Sequence, residues 1–343
     1  MKLLTVGLPV HNAMPYLPET MNSLLSQRYK DYELLVIDDG STDGSLEYLK
    51  SVKDSRLRVI SQENRGLTAT LNRMLEETST PWLVRQDADD IAFPDRLSVT
   101  ADYAQRFPEA GMFYSYARFC QGDRIFGQFR TTTASPDELR GLTQQGYLLA
   151  MCHPAVTLNV DKTRRAGGYR FDLYVEDVDL WWRMALAYDV RLIPVATVAC
   201  RHNSDSVSAR NFERQCINTL FVQYLLLSHL WELKPLPYQV ASPRLHRLLN
   251  HRQMYCRKNA RRTNISLSNK QHMSALGFAC RAFLASPGHL LRRVLYEFNP
   301  TKAVVNGENP ELFANQKSFL WPQPEKLLTF PANISSEEFL KAA

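Results

Sequence analysis

The chain has 343 residues, of which 41 are Lys or Arg and 35 are Asp or Glu, giving a net charge of +6 at pH 7. Its hydrophobic fraction of 45% is ordinary for a soluble globular protein that forms one large domain with an appendage, or two domains. Six dispersed cysteines without a C-x-x-C pair are typical of reduced core cysteines in a cytosolic protein rather than of a disulfide framework or a zinc site. The N terminus does not predict a signal peptide, and the most apolar stretch, residues 220–230, is too short and too polar to span a bilayer.

Strand and helix patterns alternate along the first two hundred residues. Strand-like apolar runs cover residues 3–8, 33–37, 57–60, 82–86 and 111–114, and helical periodicity covers residues 16–27, 45–53, 66–76 and 94–107. This alternation predicts a mainly parallel sheet with helices on both faces. After about residue 210 helical periodicity takes over. From residue 299 onward prolines break any long helix, and we expect Phe313, Phe319, Leu320 and Trp321 to attach this tail to a surface.

The ends of the first two strands carry polar residues. Pro9, Val10 and Asn12 follow the first strand without a G-x-G-x-x-G pattern or a P-loop lysine, which excludes a dinucleotide cofactor and P-loop chemistry. After the second strand, Asp38 and Asp39 could accept hydrogen bonds from ribose hydroxyls or base N–H groups. Capping of the next helix would explain the nearby Ser, Thr and Asp residues, but not these two carboxylates.

Asp87, Asp89 and Asp90 follow the buried strand of residues 82–86, and residues 91–94 are predicted to open a helix. Three carboxylates at a strand end repel one another and are costly to desolvate unless a cation compensates them. Mg²⁺ and Mn²⁺ bind such oxygen ligands together with substrate phosphates. A solvated acidic turn is the alternative, and it suits one aspartate better than three. The motif therefore predicts a site for a metal and a diphosphate.

Five segments stand in the order typical of a known family. They are residues 6–12, 35–43, 64–66 with Asn72, 87–90 and 176–177. Together they resemble the family 2 glycosyltransferases over roughly the first 210 residues. The resemblance implies an α/β fold of the GT-A type, the nucleotide-diphospho-sugar transferase fold, followed by a helical C-terminal region. The predicted units are a catalytic domain over residues 1–210, a basic helical region over 211–298 and a proline-containing tail over 299–343. Within the catalytic domain, about residues 1–110 would bind the nucleotide sugar and about 111–210 the acceptor.

The resemblance also assigns roles to residues. Pro9, Asn12 and Asp39 would line the nucleotide pocket, and Asp87 and Asp89 would form the D-x-D pair that handles the ribose and a divalent Mn²⁺ or Mg²⁺. The complete predicted nucleotide-sugar set is Pro9, Val10, Asn12, Asp38, Asp39, Asn64, Arg65, Gly66, Asn72, Arg85, Asp87, Ala88, Arg201 and Ser206. Arg85 either faces the nucleotide or neutralises the nearby aspartates.

Residues 201–208 resemble a loop that closes over the diphosphate. His202 would complete the metal sphere, Arg201 would pair with phosphate and Ser206 would donate a hydrogen bond to it. An ordinary surface loop is the alternative for this stretch.

Glu176 and Asp177 begin an amphipathic helical pattern. Glycosyl transfer passes through an oxocarbenium-like transition state and needs a base for the acceptor hydroxyl. The resemblance points to Asp177 as this base and to Glu176 as a support for the acceptor; the alternative is that both are helix caps or surface charges. His153, Trp181 and Trp182 are predicted on the acceptor side, although His153 equally suits a satisfied buried histidine.

The chain lacks a Gln-x-x-Arg-Trp segment and a spanning helix, which predicts transfer of one sugar per binding event. One-step displacement predicts inversion at the anomeric carbon. The predicted function is a metal-dependent, inverting glycosyltransferase that moves a sugar from a nucleoside-diphosphate donor to a saccharide or lipid-linked saccharide in bacterial surface polysaccharide synthesis. A non-catalytic nucleotide-sugar-binding assembly partner is the alternative, and the intact Asp87, Asp89 and Asp177 argue against it.

The charge is distributed unevenly. Residues 244–294 contain eleven Lys or Arg and no Asp or Glu, so the rest of the chain has a net charge of −5. Segments 245–249 and 283–295 mix apolar and cationic residues at helical spacing, which favours contact with an anionic membrane surface. A solvated basic face is the alternative, and no motif supports nucleic-acid binding. The predicted location is the cytoplasm, peripheral on the cytoplasmic face of the inner membrane.

Overall fold

The first half of the fold is a set of parallel strands separated by helices. A computed structural model describes residues 2–122, 124–201, 211–291 and 304–322. The chain begins with β1 (Leu4–Val10), α1 (Leu17–Leu25), β2 (Tyr32–Asp39), α2 (Ser45–Ser51), β3 (Leu57–Gln62), α3 (Leu67–Glu77) and β4 (Trp82–Arg85). Strand β1 lies between β2 and β4, β3 lies outside β2, and all four run parallel. Their carboxyl ends therefore share one edge of the sheet, as the alternating pattern predicted.

The second half extends this sheet with both strand directions. It contains β5 (Ile91–Ala92), α4 (Arg96–Arg106), β6 (Met112–Gln121), β7 (Arg124–Gln128), α5 (Pro136–Gln144), β8 (Leu148–Leu149), β9 (Val156–Asn159), α6 (Val160–Arg165), α7 (Glu176–Ala187) and β10 (Val190–Arg201). Among the described residues, one sheet has the strand order β3-β2-β1-β4-β9-β6-β10-β5, with β7 paired to β6. Strand β9 is antiparallel to both neighbours, and β10 is parallel to β6.

One predicted boundary is wrong. Residues 91–94 were expected to open a helix, whereas Ile91 and Ala92 form the short strand β5, antiparallel to the end of β10. Helix α4 begins only at Arg96. The pairing partners of β5 lie about a hundred residues along the chain, so no local pattern announces it. This strand turns the chain back toward the sheet directly after the aspartate motif.

Both faces of the sheet are buried. Along β2, Leu34 and Val36 contribute to one core, where the rings of Trp82 and Phe113 stack at 4.6 Å. Leu35 and Ile37 point to the other core, which α3 and α7 cover. Strands buried on both faces are continuously apolar rather than alternating, which explains why they could be recognised in the sequence.

A helical region follows the sheet. It contains α8 (Phe212–Leu230), α9 (Tyr238–His246), α10 (His251–Ser268) and α11 (His272–Ala285), and then β11 (Val305–Asn306), α12 (Pro310–Ala314) and α13 (Lys317–Leu320). A third core forms around α8 and includes Trp182 of α7. Because Trp181 lies in the second core, α7 is packed between the sheet and the helical region. Within the described part of the chain, no helix has the length and apolar character needed to cross a membrane.

The segment of residues 304–322 returns to the first two hundred residues. Strand β11 pairs antiparallel with β8. The Gln223 side chain donates to the Glu308 carbonyl at 2.7 Å and accepts from the Glu308 N–H at 2.8 Å. The Trp321 ring stacks on Tyr224 at 4.5 Å, and its Nε1 donates to Ser228 Oγ at 2.9 Å. Aromatic residues of the tail thus attach it to a surface, as expected from the sequence.

Replacing Trp321 with Ala should lower the free energy of unfolding by about 3–5 kcal/mol, because a buried, stacked and hydrogen-bonded ring is lost. Chemical denaturation followed by circular dichroism measures this change. Gln316→Ala, at an exposed position of the same segment, is the control and should change the free energy of unfolding little. Equal midpoints for both variants would show that the tail does not contribute to the folded core.

Candidate active site

The loops after β1 and β2 are tied together at the edge of the sheet. The Asn12 side-chain oxygen accepts a hydrogen bond from the Thr42 N–H at 2.8 Å, and the backbone of Asn12 has a φ of +50°. His11 Nδ1 bonds to the Asp39 carbonyl at 2.8 Å. Because the Asn12 side-chain oxygen accepts this hydrogen bond from Thr42, Asn12 connects the two loops.

Asp39 anchors the loop after β3. Its carboxylate accepts the N–H groups of Arg65 and Gly66, each at 2.9 Å, and the side chain of Gln62 at 2.6 Å. Gly40 permits this close approach, because a Cβ at its φ of +73° would lie 2.8 Å from the Asn64 nitrogen. The predicted residues Asp39, Arg65 and Gly66 therefore lie next to one another, and the Arg65 side chain is exposed to solvent.

Other residues of the predicted nucleotide set lie beneath this surface. Pro9 and Val10 are buried in β1. Asp38 is fully buried, and one of its oxygens accepts from Ser61 Oγ at 3.1 Å. All three side chains are buried, and their predicted contact with a nucleotide stays a prediction. Strand side chains alternate, so Asp38 and Asp39 point to opposite faces of the sheet.

Asn72 and Ala88 also have structural partners. The Asn72 amide donates to the Tyr169 carbonyl at 2.7 Å and accepts the Tyr169 N–H at 2.9 Å. The Ala88 carbonyl accepts from Thr20 Oγ1 at 2.9 Å. Asn72 thus joins α3 to the segment before α7. This contact holds the start of α7 beside the loops that follow the parallel strands.

The three aspartates after β4 form a compact cluster. Carboxylate oxygens of Asp87, Asp89 and Asp90 all lie within 4.8 Å of one another. The end of β10 fixes this turn, because the Arg201 N–H donates to Asp90 Oδ1 and Arg201 Nε donates to the Asp89 carbonyl, each at 2.8 Å. The D-x-D pair and the residue after it therefore occupy one place at the edge of the sheet.

The Arg201 guanidinium already has partners. It forms an ion pair with Glu19 at 2.7 Å, lies over the ring of Tyr16 at 4.7 Å, and is largely buried. The predicted pairing with phosphate is not supported in this arrangement, because the side chain is committed to the aspartate turn and Glu19. His202 and Ser206, predicted as a metal ligand and a phosphate ligand, lie outside the described residues.

Arg85 is a buried cation beneath the cluster. Its side chain is 2% exposed and forms an ion pair with Asp87. Burial opposes its charge, but the carboxylate of Asp87 outweighs burial and raises the pKa of Arg85. Of the two roles considered for Arg85, neutralising the aspartates is the one that this burial supports.

One guanidinium does not balance the cluster. Burial and the neighbouring Asp87 raise the pKa of Asp89 to about 6. Burial and both neighbours raise the pKa of Asp90 well above its ordinary value. An all-oxygen ligand set with excess negative charge is the chemistry that a hard divalent cation prefers. The residues present therefore fit Mn²⁺ or Mg²⁺, and Asp90 lies beside Asp87 and Asp89, two of the three ligands predicted from the sequence.

Glu176 and Asp177 form a second acidic pair at the start of α7. Glu176 is buried, and burial together with Asp177 raises its pKa to about 8. Asp177 is half-buried and accepts the Val178 N–H at 2.8 Å; burial raises its pKa to about 6, although this N–H and Arg85 oppose the increase. Two adjacent carboxyls with separated pKa values can serve one as a base and the other as a neutral hydrogen-bond partner.

The next acidic residue of α7 is structural. Asp179 is fully buried and forms ion pairs with Arg170 at 2.7 Å and Arg183 at 2.8 Å. Arg183 also donates to the carbonyl of Gly168 at 2.6 Å. These contacts fix the start of α7 against the preceding loop, so that Glu176 and Asp177 are held in place.

His153 forms part of the wall behind this pair. Its Nε2 bonds to the Tyr169 hydroxyl at 3.0 Å, and its Nδ1 lies 3.8 Å from Glu176 Oε1. Burial and the charge of Arg85 lower its pKa well below the ordinary value, so the ring is neutral. The hydrogen bond to Tyr169 fits a buried structural histidine, and the predicted role of His153 on the acceptor side stays a prediction.

Trp181 and Trp182 are buried to 0% and 5% exposure, in two different cores. Both rings pack into these cores, and their predicted place on the acceptor side stays a prediction. Their apolar character reflects a helix that packs on both sides.

Arg96 was missed from the sequence. It is buried in α4 and donates to the carbonyls of Arg85 and Pro154 and to the Gln86 side chain. Burial and Arg85 lower its pKa to about 9. It joins the end of β4 to the loop that carries His153. No sequence signal reveals it, because its partners come from segments that only the fold brings together.

Comparison with known proteins agrees with this geometry. Residues 5–162 match the model of the family described as "Glycosyl transferase family 2". The chain is 28% identical over 231 residues to EpsE of Bacillus subtilis, which is named as a glycosyltransferase; the match covers 64% of this chain and 80% of EpsE. It is 27% identical over 199 residues to the amylovoran biosynthesis glycosyltransferase AmsE of Erwinia amylovora, covering 57% of this chain and 73% of AmsE.

Among solved structures, residues 1–349 of TarS from S. aureus in complex with UDP-GlcNAc have a similar fold. The TM-score is 0.53 at 15% sequence identity, and the match covers 81% of this chain and 89% of that chain. This likeness confirms the predicted GT-A-type fold with a helical C-terminal region.

Glu176→Gln should stabilise the protein increasingly as pH rises. The folded-state pKa near 8 lies above the ordinary value of 4.5, so the folded wild type binds the extra proton and loses stability as pH rises between these values. Glutamine removes this loss, and the gain in melting temperature over wild type should be small near pH 5 and largest at pH 8 or above. Glu109→Gln, at a side chain that is 95% exposed, is the control. A pH-independent difference for Glu176→Gln would contradict the raised pKa.

Proposed function

We propose a donor, a base and an acceptor class for this chain, whose residues 5–162 belong to the family 2 glycosyltransferases. The resemblance noted in the sequence is thereby confirmed, and the chain is a glycosyltransferase. The donor would be a nucleoside-diphosphate sugar. The observation that carries the proposal is the convergence of two acidic groups, Asp87 with Asp89 and Glu176 with Asp177, on the buried cation Arg85.

The nucleotide would lie across the loops that follow β1, β2 and β3. Hydrogen bonds of Asn12 and Asp39 hold these loops in one arrangement. The exposed Arg65 would bind a phosphate of the nucleotide. Asp87, Asp89 and Asp90 would hold Mn²⁺ or Mg²⁺. When bound, such a cation stabilises the negative charge that develops on the leaving diphosphate. Arg85 forms an ion pair with Asp87 beneath this site.

Asp177 would act as the general base. It accepts the proton of the acceptor hydroxyl while the acceptor oxygen bonds to the anomeric carbon and the bond to the diphosphate oxygen breaks. A one-step displacement of this kind inverts the configuration. The pKa of Asp177 near 6 keeps it ionised at neutral pH yet basic enough to take a proton. Glu176, with its higher pKa, would remain protonated and donate a hydrogen bond to the acceptor side.

The acceptor would be a saccharide or a lipid-linked saccharide in bacterial surface polysaccharide synthesis. AmsE is named for amylovoran biosynthesis, and TarS was crystallised with UDP-GlcNAc, which supports this class of reaction. One sugar would be added per encounter. We place the enzyme in the cytoplasm, at the cytoplasmic face of the inner membrane, where a lipid-linked acceptor would be presented.

Asp177→Asn should lower the rate of transfer by about 10²–10⁴-fold while leaving nucleotide binding unchanged, because only proton acceptance is removed. The donor is first selected by thermal shift with UDP-, GDP-, CMP- and dTDP-sugars in the presence of Mn²⁺. Release of nucleoside diphosphate, in the presence and absence of acceptor, then measures the rate. Asp161→Asn, at a side chain that is 76% exposed, is the matched control. Full activity of Asp177→Asn would exclude it as the base, and donor binding without any turnover by the wild type would favour a non-catalytic assembly partner.

A further inference from the structure

Helices α10 and α11 form a hairpin with an unusual surface. Residues 251–291 contain seven Lys or Arg and no Asp or Glu. Two of the seven have acidic partners elsewhere: Lys258 lies 2.6 Å from Glu213, and Arg257 lies 3.7 Å from Glu308. Four others, Arg252, Arg262, Lys270 and Arg281, are exposed. The hairpin therefore presents a positive surface to solvent.

Apolar side chains are exposed on the same hairpin. Of the twelve large hydrophobic side chains exposed among the described residues, six lie in the hairpin and a seventh, Leu291, follows it. They are Tyr255, Leu267, Met273, Leu276, Phe283, Leu284 and Leu291. Met273 is 82% exposed and Leu284 is 74% exposed, whereas large apolar residues exposed elsewhere reach at most 48%. Such a concentration marks an interaction site rather than scattered surface residues.

Helix α11 is apolar on two opposite sides. Ala275 and Ala282, spaced as two turns, are buried against α10. At 100° per residue, Met273, Cys280 and Leu284 fall on the opposite side, and Leu276 and Phe283 fall on the flank beside it. A surface helix needs only its buried stripe to pack. The outer stripe contributes nothing to the described fold, which indicates that something else covers it.

A shallow depression of about 520 Å³ adjoins the outer stripe. It lies between the two helices and is lined by His251, Arg252, Tyr255, Arg281, Leu284 and Ala285. Two guanidinium groups stand beside an apolar floor. This pairing suits an anionic headgroup whose acyl chains continue over Leu284.

We propose that the outer face of the α10–α11 hairpin lies on an anionic lipid surface, with the stripe from Met273 to Leu284 entering the interface and Arg252 and Arg281 binding headgroups. Charge complementarity selects this partner. A second copy would bring two such positive faces together, and their repulsion opposes association. A neutral protein surface would leave the arginines unpaired. The proposed contact is peripheral, with the helices lying in the plane of the interface.

This inference rests on the proposed function only for its purpose, which is to bring the active site to a lipid-linked acceptor. The hairpin is separate in sequence from Asp87, Asp89 and Asp177. Binding to vesicles and binding of the donor can therefore be measured independently.

Flotation of the full chain tests the proposal, with vesicles of phosphatidylcholine alone and of phosphatidylcholine with phosphatidylglycerol. We expect recovery mainly with the anionic vesicles and a decrease at high salt. Arg252→Gln combined with Arg281→Gln should weaken binding by about fivefold per residue. Leu276→Gln combined with Leu284→Gln should weaken it by about tenfold per residue, because apolar area no longer enters the interface.

Matched variants elsewhere control for composition. Lys30→Gln with Lys50→Gln makes the same charge change at exposed positions of the first domain, and Ile125→Gln with Val195→Gln makes the same change at apolar side chains that are 48% and 45% exposed. These pairs should bind vesicles like the wild type. All variants should keep the thermal shift with donor, so a failure of flotation alone would overturn this inference and leave the proposed function intact.

Cys280 gives a direct readout of contact, because it is the exposed one of the six cysteines and lies within the outer stripe. An environment-sensitive fluorophore attached there should shift to the blue on anionic vesicles and not on neutral ones. Equal recovery with both kinds of vesicle would overturn the proposal. So would a dimer, seen by light scattering, that the Leu276→Gln/Leu284→Gln variant converts to monomer, since a second copy would then cover the face.

Discussion

The site depends on the buried guanidinium of Arg85, which lies near several carboxyl groups. Arg85 lies beneath Asp87 and opposes the raised pKa values of Asp89, Glu176 and Asp177. Even with Arg96 and Arg201 at the aspartate turn, the nearby positive charges are fewer than the carboxyl groups, so burial leaves some of these acids protonated. A divalent cation would replace those protons with a charge placed where a diphosphate binds. The need for a cation follows from this imbalance.

The fold creates the imbalance by bringing distant segments to one edge. Because β2 and β4 are both parallel to β1, Asp39 and Asp87 lie at the same edge of the sheet. Helix α7, packed between the sheet and the helical region, delivers Glu176 and Asp177. Arg96 and Arg201 hold the aspartate turn from two other segments. Charges that repel are thus held together by contacts made elsewhere, which is common where structure is organised for binding rather than for stability.

Much of this architecture could be predicted from the sequence, because strands buried on both faces read as continuous apolar runs and helices show their period. The place of the site could be predicted too, since Asp87, Asp89, Glu176 and Asp177 are unusual in buried surroundings. The roles of individual residues were less accessible. Asn72 and Arg201 were expected to bind the nucleotide sugar, but their partners Tyr169 and Asp89 are about a hundred residues away in the chain. Only folding pairs such residues.

Trp181 and Trp182 next to the acidic pair were expected to line the acceptor side, whereas they fill two cores. The two most exposed large apolar residues, Met273 and Leu284, lie instead on the α10–α11 hairpin, far along the chain from the acidic pair. A pattern of apolar residues shows that burial or contact is needed, but the partner that supplies it depends on the tertiary arrangement.

The account is tested most directly by calorimetric titration of the protein with UDP and with GDP, in EDTA and in Mn²⁺. It predicts that at least one nucleotide binds markedly more tightly with Mn²⁺, and that Asp89→Asn abolishes the difference. Equal affinity in EDTA and in Mn²⁺ for whichever nucleotide binds would contradict it, because the acidic cluster would then need no added cation to receive a diphosphate.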